Sequence, residues 1–346
     1  MRIKMHNAFI SIDKDGCIVA KSDYTGLVAL YLRNNNTFIE KEFYSYKSEY
    51  VFKEKPSDGS VSVLFFFQDK DKNIIKFETD LYHYNESINS LKRIDVKILA
   101  DSKNYRITYY DLGAKITFVT FNGTKSTKNT LPFGFKFIIE NGWNLISVAQ
   151  DNDTQYQDLS FEVFHDVIQP TVVQKDVYVY GLSLGGYCAL YYGGAINATI
   201  IAASPKNSAH PSINLARFQN LDFSHKSFSD IPITSKKVYI TYDPTLKSDT
   251  SFIYNVIYPA YSTPNLLPIE KGTHIVLRSL IKAQVLSLYI HSIVFNKYDS
   301  NIANYIIAKC KYSQGKYVEA FMMLDDIVLG SLGTPIASSE KSKKIH

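Results

Sequence analysis

Cysteine is scarce in this chain: Cys17, Cys188 and Cys310 are the only three in 346 residues. Their number is odd and they lie far apart, so neither a disulfide framework nor a metal site is expected, and a reducing compartment fits. No cofactor is expected either. No apolar run reaches the eighteen or so residues needed to cross a bilayer, which excludes a membrane-spanning helix. The opening stretch MRIKMHNAFISIDKDG has no apolar core region and no small-residue cleavage site. It is not read as a secretory signal, and the expected location is cytoplasmic. Charge of one sign is not gathered anywhere. The net charge of +5 comes from lysines spread along the chain, which reads as a solvated surface, and no nucleic-acid partner is expected.

What the chain has is apolar residues (45%) and 26 tyrosines. Its length exceeds one ordinary core, so a large domain with smaller additions is expected. Residues 1–98 alternate apolar and polar residues in short runs such as AFISI, CIVAKS, GLVALYLRN, SVSVLFFFQD and IIKFETDLYHY, separated by turns such as DKDG and PSDGS. That pattern predicts an accessory antiparallel β-domain resembling a small sandwich. From about 105 the pattern changes. RITYYDLG, AKITFVTFNG, WNLISVAQD, DVYVYGLS, ATIIAASP and KKVYITYD read as strands. FGFKFIIENG, SFEVFHDVIQPTVV, GGYCALYYGG, SFIYNVIYPAYS and one long IVLRSLIKAQVLSLYIHSIV read as helices, with NLLPIEKG extended. Alternation of apolar strands with helices predicts an α/β domain over 99–298, with a doubly wound, mostly parallel sheet. Residues 299–335 predict a tetratricopeptide-like helical hairpin, with Ala308, Tyr312, Gly315, Tyr317 and Ala320 at its small and aromatic positions. Residues 336–346 are expected to be disordered.

One junction stands out. Gly181-Leu182-Ser183-Leu184-Gly185 follows the strand-like DVYVY and opens a helix-like run. A G-x-S-x-G turn between strand and helix strains the serine backbone and lifts its hydroxyl clear of the sheet, with small residues on either side to avoid collision. It also aims the next backbone N–H, that of Leu184, at a developing oxyanion. A serine nucleophile needs a base and an orienting acid, which in this fold follow it in the order acid, then histidine. His346 is terminal, His291 falls within the apolar helix, and His210 and His225 come too early in the chain. His274, in IEKGTHIVL, lies where the last loop returns a base. The acid belongs after KKVYITY, where Asp243 and Asp249 are both candidates; Asp249, placed as a helix cap, is preferred and Asp243 is the alternative. The second oxyanion donor is expected after the third strand, from Gly123 or Thr124 in FNGTK.

These residues resemble the α/β-hydrolase superfamily over about 105–295. FNG, FGFKFIIENGWNLISVAQDND, YGLSLGGYCALYYG and AASP look more narrowly like esterase-like proteins of bacterial surface-polysaccharide and glycan-modification systems. Those proteins carry a G-S-S-M-G-G-Y elbow before an Ala-Leu helix; this chain has Leu182 and Leu184 at the variable places and keeps Gly186 and Tyr187. A more distant likeness is to the accessory-secretion component that modifies glycans on adhesins. The resemblance implies acyl-ester chemistry, often on acetylated sugars. The His-Gly-Gly-Gly run of lipases is missing and no amphipathic lid stands out, so a water-soluble, short-acyl substrate is expected. Three readings follow. The chain is a serine esterase on an acylated small molecule or glycan, an acyltransferase to a sugar hydroxyl using the same residues, or a non-catalytic scaffold. The β-domain and the helical tail are the surfaces expected to meet a protein partner.

Overall fold

The computed structural model describes residues 7–213, 215–261 and 263–331; the expected disordered tail 336–346, with His346, lies outside them. The chain divides into two compact units. The first holds residues up to Ala202 together with Lys206–Val238; the second holds Ala203–Pro205 and the chain from Tyr239 onward. The division runs through the 99–298 stretch.

In the first unit, nine short strands come first. β1 (Ala8–Ile12), β2 (Ile18–Ser22), β3 (Leu27–Asn34), β4 (Thr37–Ser45) and β5 (Glu49–Val51) are followed by β6 (Gly59–Gln68), β7 (Ile74–Glu78), β8 (Tyr82–Asn85) and β9 (Ser90–Arg93). They form an antiparallel sheet β1-β2-β5 and a larger one, β4-β3-β6-β8-β9, with β7 also on β6. Ile10, Ile18 and Ala20 of the small sheet share one apolar cluster with Leu30, Leu32, Val61, Val63 and Phe65 of the large one. IIKFETDLYHY is two strands, not one. The chain breaks at Thr79-Asp80, where the Thr79 hydroxyl accepts the Val63 N–H at 3.1 Å, so β7 and β8 pair with different parts of β6.

The third sheet of this unit runs β10 (Asp95–Asp101), β11 (Tyr105–Asp111), β12 (Ile116–Phe121), β13 (Asn144–Gln150), β14 (Asp176–Leu182) and β15 (Thr199–Ala203), with α1 (Phe135–Glu140), α2 (Phe161–Val172) and α3 (Leu184–Gly193) between strands. The spatial order is β10-β11-β13-β12-β14-β15. β12 is parallel to β13 and β14, whereas β10 and β11 run antiparallel. The result is a mixed α/β fold. β13 buries all seven of its residues, as a strand covered on both faces must. Trp143, 6% exposed, stacks on Phe118 of β12 at 5.1 Å.

The second unit pairs β16 (Val238–Tyr242) in parallel with β17 (Asn265–Pro268) and carries α4 (Lys247–Phe252), α5 (Leu277–Lys282), α6 (Leu286–Val294), α7 (Ser300–Ser313) and α8 (Tyr317–Ser331). The single long helix expected over IVLRSLIKAQVLSLYIHSIV is two helices. Gln284 turns left-handed at φ 59, and the N–H groups of Gln284 and Val285 bond back to Ile281 and Leu280 at 2.9 Å each. This is the Schellman closure of a helix end, made with glutamine in place of glycine. The same closure ends α7: Gly315 has φ 83, and Gly315 and Lys316 donate to Tyr312 and Lys311. α7 packs on α5, α6, α8 and β17. Ala308 and Ala320 are fully buried, but Tyr312 and Tyr317 are about half exposed (48% and 54%), unlike the packed aromatic positions expected of a repeat. No helix among the described residues is long and apolar enough to cross a membrane.

Candidate active site

The Val and Tyr residues of β14 suit a buried strand, and Tyr178, Val179 and Tyr180 are buried. All ten residues of α3 are buried, which explains a helix of only glycine, alanine, cysteine, leucine and tyrosine: it has no face for water. Each large apolar side chain so buried contributes about 1.5–3 kcal/mol. Between strand and helix stands Ser183, with φ 57 and ψ −118. A non-glycine residue there costs about 1–3 kcal/mol and persists only where its surroundings over-determine it. The surroundings are visible: the Ser183 carbonyl accepts from Tyr187 N at 2.9 Å and Lys206 N at 3.1 Å. The flanking glycines are steric necessities. A Cβ on Gly181 would lie 2.2 Å from the Gly185 carbonyl, and one on Gly185 would lie 2.5 Å from the Phe121 oxygen.

That last approach seats the start of α3 on the end of β12, two residues before Gly123. The Gly123 carbonyl accepts from Ser126 Oγ at 2.6 Å and Gln150 Nε2 at 3.1 Å, so its peptide is held from both sides. A Cβ at Gly123 would meet nothing within 4 Å. Among the described residues, no backbone acceptor takes the N–H of Gly123 or Thr124. Leu184 is the first residue of α3, so its N–H has no partner within the helix.

The second unit holds the other candidates. Asp249 Oδ2 lies 2.6 Å from His274 Nδ1; the carboxylate is 1% exposed and the imidazole 37%. A carboxylate only accepts, so Nδ1 carries a proton, and in the neutral imidazole the lone pair is on Nε2. Asp249 is not the helix cap expected. Leu246 occupies that position, and Asp249 sits in the first turn of α4, where its negative charge suits the helix end. Asp243, also 1% exposed, has different partners. Its Oδ1 accepts from Thr245 N at 2.9 Å and Thr245 Oγ1 at 2.7 Å, and its Oδ2 from Thr273 N at 2.9 Å. Asp243 therefore anchors the backbone next to His274, whereas Asp249 contacts the ring.

Of the remaining histidines, His291 bonds Ser287 Oγ on its own helix at 3.0 Å, and His210 bonds Ser212 Oγ at 2.8 Å. His225 was not expected to matter, yet it is 9% exposed and lies parallel to the Tyr191 ring at 4.2 Å. Only its partners, Tyr156, Tyr187 and Tyr192, reveal it, and these lie 33 to 69 residues away in sequence. Burial pushes its pKa down to about 4. The rings against it are those of Tyr187, Tyr191, Tyr192 and Phe223, and His210 lowers its pKa a little further. The unfolded histidine binds its proton near 6.5 while the folded one does not until about 4. Stability is therefore complete above pH 6.5 and falls as pH drops through that window, by roughly 3 kcal/mol. Urea denaturation from pH 7 to pH 4 should show this slope, and His225→Phe should flatten it. An unchanged slope in the variant assigns the effect elsewhere.

No protein-family model matches the chain, and no curated protein does. Among solved structures it is similar to the capsule O-acetyltransferase of Neisseria meningitidis serogroup A, at 16% identity over 56% of this chain and 92% of that one, with a TM-score of 0.41. It is also similar to XC6422 from Xanthomonas campestris, described as a member of the a/b serine hydrolases without lid, at 14% identity over 56% and 94% of the two chains, with a TM-score of 0.35.

Proposed function

We propose that this chain is a serine-dependent acyl-ester enzyme, acting on short acyl esters of a carbohydrate or other small glycan. The observation that carries the reading is the backbone of Ser183, held at φ 57 and ψ −118 between two glycines that tolerate no side chain. Strain of that kind clusters where a side chain must be presented for reaction. The His274–Asp249 pair supports it, because a carboxylate on Nδ1 selects, in the neutral ring, the tautomer a general base needs.

In this reading Ser183 Oγ attacks the ester carbonyl carbon while His274 Nε2 takes the hydroxyl proton. Asp249 holds the ring and stabilises the imidazolium. The carbonyl oxygen, now negative, is met by the N–H of Leu184 and that of Gly123 or Thr124. The tetrahedral species collapses, and His274 returns the proton to the departing alcohol. The acyl group left on Ser183 Oγ passes to water, giving a carboxylate, or to a sugar hydroxyl, giving a new ester, while His274 Nε2 takes the acceptor's proton and returns it to the departing Ser183 Oγ. Both outcomes use the same residues.

A fluorophosphonate probe should label the folded protein at Ser183, and p-nitrophenyl acetate should outpace the octanoate. Each methylene that finds an apolar pocket adds up to about 0.8 kcal/mol, so rates that climb steadily with chain length contradict the short-acyl assignment. Folded protein that leaves the probe untouched overturns the enzyme reading itself.

A further inference from the structure

A line of buried hydrogen bonds joins the two places where the oxyanion donors of the proposed reaction sit. It starts at the elbow, where Tyr187 N donates to the Ser183 carbonyl at 2.9 Å. The Tyr187 hydroxyl lies 3.1 Å from His225 Nδ1. His225 Nε2 lies 3.1 Å from the Tyr156 carbonyl. The Tyr156 hydroxyl lies 2.9 Å from the carbonyl oxygens of both Asn122 and Val148, and Asn122 is followed by Gly123.

The polarity of the line is fixed. The Tyr156 carbonyl can only accept, so Nε2 carries the imidazole proton. Nδ1 is then the acceptor for the Tyr187 hydroxyl. Tyr156 and Tyr187 are each 1% exposed, so neither can exchange its partner for water. Tyr156 also has φ 61 and its neighbour Gln155 φ 55, a backbone held out of its ordinary range. The same segment grips the loop a second time, since Gln155 N donates to Gln150 Oε1 at 2.8 Å and Gln150 Nε2 donates to the Gly123 carbonyl.

We propose that His225 is a positioning residue: with Tyr187 and Tyr156 it forms a rigid strut that sets the spacing between the elbow at Ser183 and the Asn122–Thr124 loop. The proposal rests on the reading of Ser183 and this loop as one reaction centre. A neutral imidazole suits the task because it donates on one edge and accepts on the other, and so passes a fixed orientation from one tyrosine to the next. Phenylalanine could fill the space but not transmit the register. A donor displaced by a fraction of an ångström still binds substrate but meets the transition state poorly.

The test uses Tyr187→Phe, Tyr156→Phe and their double variant. Tyr191→Phe is the control: it removes a hydroxyl from the same helix that bonds Lys226 N at 3.1 Å and only stacks on His225. Tyr187→Phe and Tyr156→Phe should each lower kcat about tenfold with KM within about twofold, and the double variant should lose little more than either single one. Tyr191→Phe should keep kcat even where its melting temperature falls as far. Amide exchange at Asn122 and Ser126 should quicken in Tyr187→Phe and not in Tyr191→Phe. Additive losses of kcat, or exchange at Asn122 and Ser126 unaltered by Tyr187→Phe, overturn the strut. The exchange arm needs no turnover, so it judges the strut even where the fluorophosphonate arm has rejected Ser183 as a nucleophile.

Discussion

Ser183→Ala should abolish ester turnover and leave the fold intact. Alanine removes the hydroxyl and nothing else that the elbow requires, since the two bonds to the Ser183 carbonyl are made by the backbone. The loss should approach the whole catalytic factor of a triad nucleophile, on the order of 10⁵ or more in kcat. Ground-state affinity should change little, because the first-turn and loop N–H groups remain. A variant that retains a tenth of the wild-type rate with the same ester contradicts the assignment. Circular dichroism and melting temperature check the other half of the expectation, and either should match wild type closely.

Asp249→Asn should cost about 10⁴ in kcat, with most of the stability retained. The amide keeps the shape of the carboxylate, but its N–H turned toward His274 Nδ1 favours the tautomer with the proton on Nε2. That ring has no lone pair to offer a serine hydroxyl. Asp243→Asn should behave differently. Its bonds to Thr245 and Thr273 hold a loop, so weakening them should cost about 1 kcal/mol of stability each and less than tenfold in rate. Measuring kcat and melting temperature on both variants separates the two roles. Exchanged patterns identify Asp243 as the acid. Full activity in both variants moves the acid out of this loop altogether.

The elbow was readable from five residues because its requirements are local. A strand, a turn and a helix meet there, and two of its glycines answer to atoms within four residues or on the neighbouring strand. The mixed α/β fold was readable from apolar runs that leave no solvent face. Other features depend on partners distant in sequence or on residues that break a rule. The end of α7 was legible because glycine occupies the left-handed position at 315. The break between α5 and α6 was not, because Gln284 adopts that conformation without the residue that usually marks it. Asp249 lies inside a helix whose Ser-Asp-Thr run has little helical propensity, so that stretch reads as loop in the sequence. His225 reads in the sequence only as a histidine too early in the chain to be the base, because no pattern of spacing links it to Tyr156 and Tyr187.

The stacking of Trp143 on Phe118 has a spectroscopic consequence. It is the only tryptophan in the chain, and it lies deep in the first unit, among Phe118, Phe137 and β13. Excitation at the red edge, where the 26 tyrosines hardly absorb, therefore interrogates one indole in one environment. Its emission should shift to longer wavelength when water reaches β12 and β13, and remain blind to melting of α4–α8. Far-ultraviolet ellipticity sums over both units. Fluorescence is thus a built-in reporter of the first unit alone, and it comes without labelling.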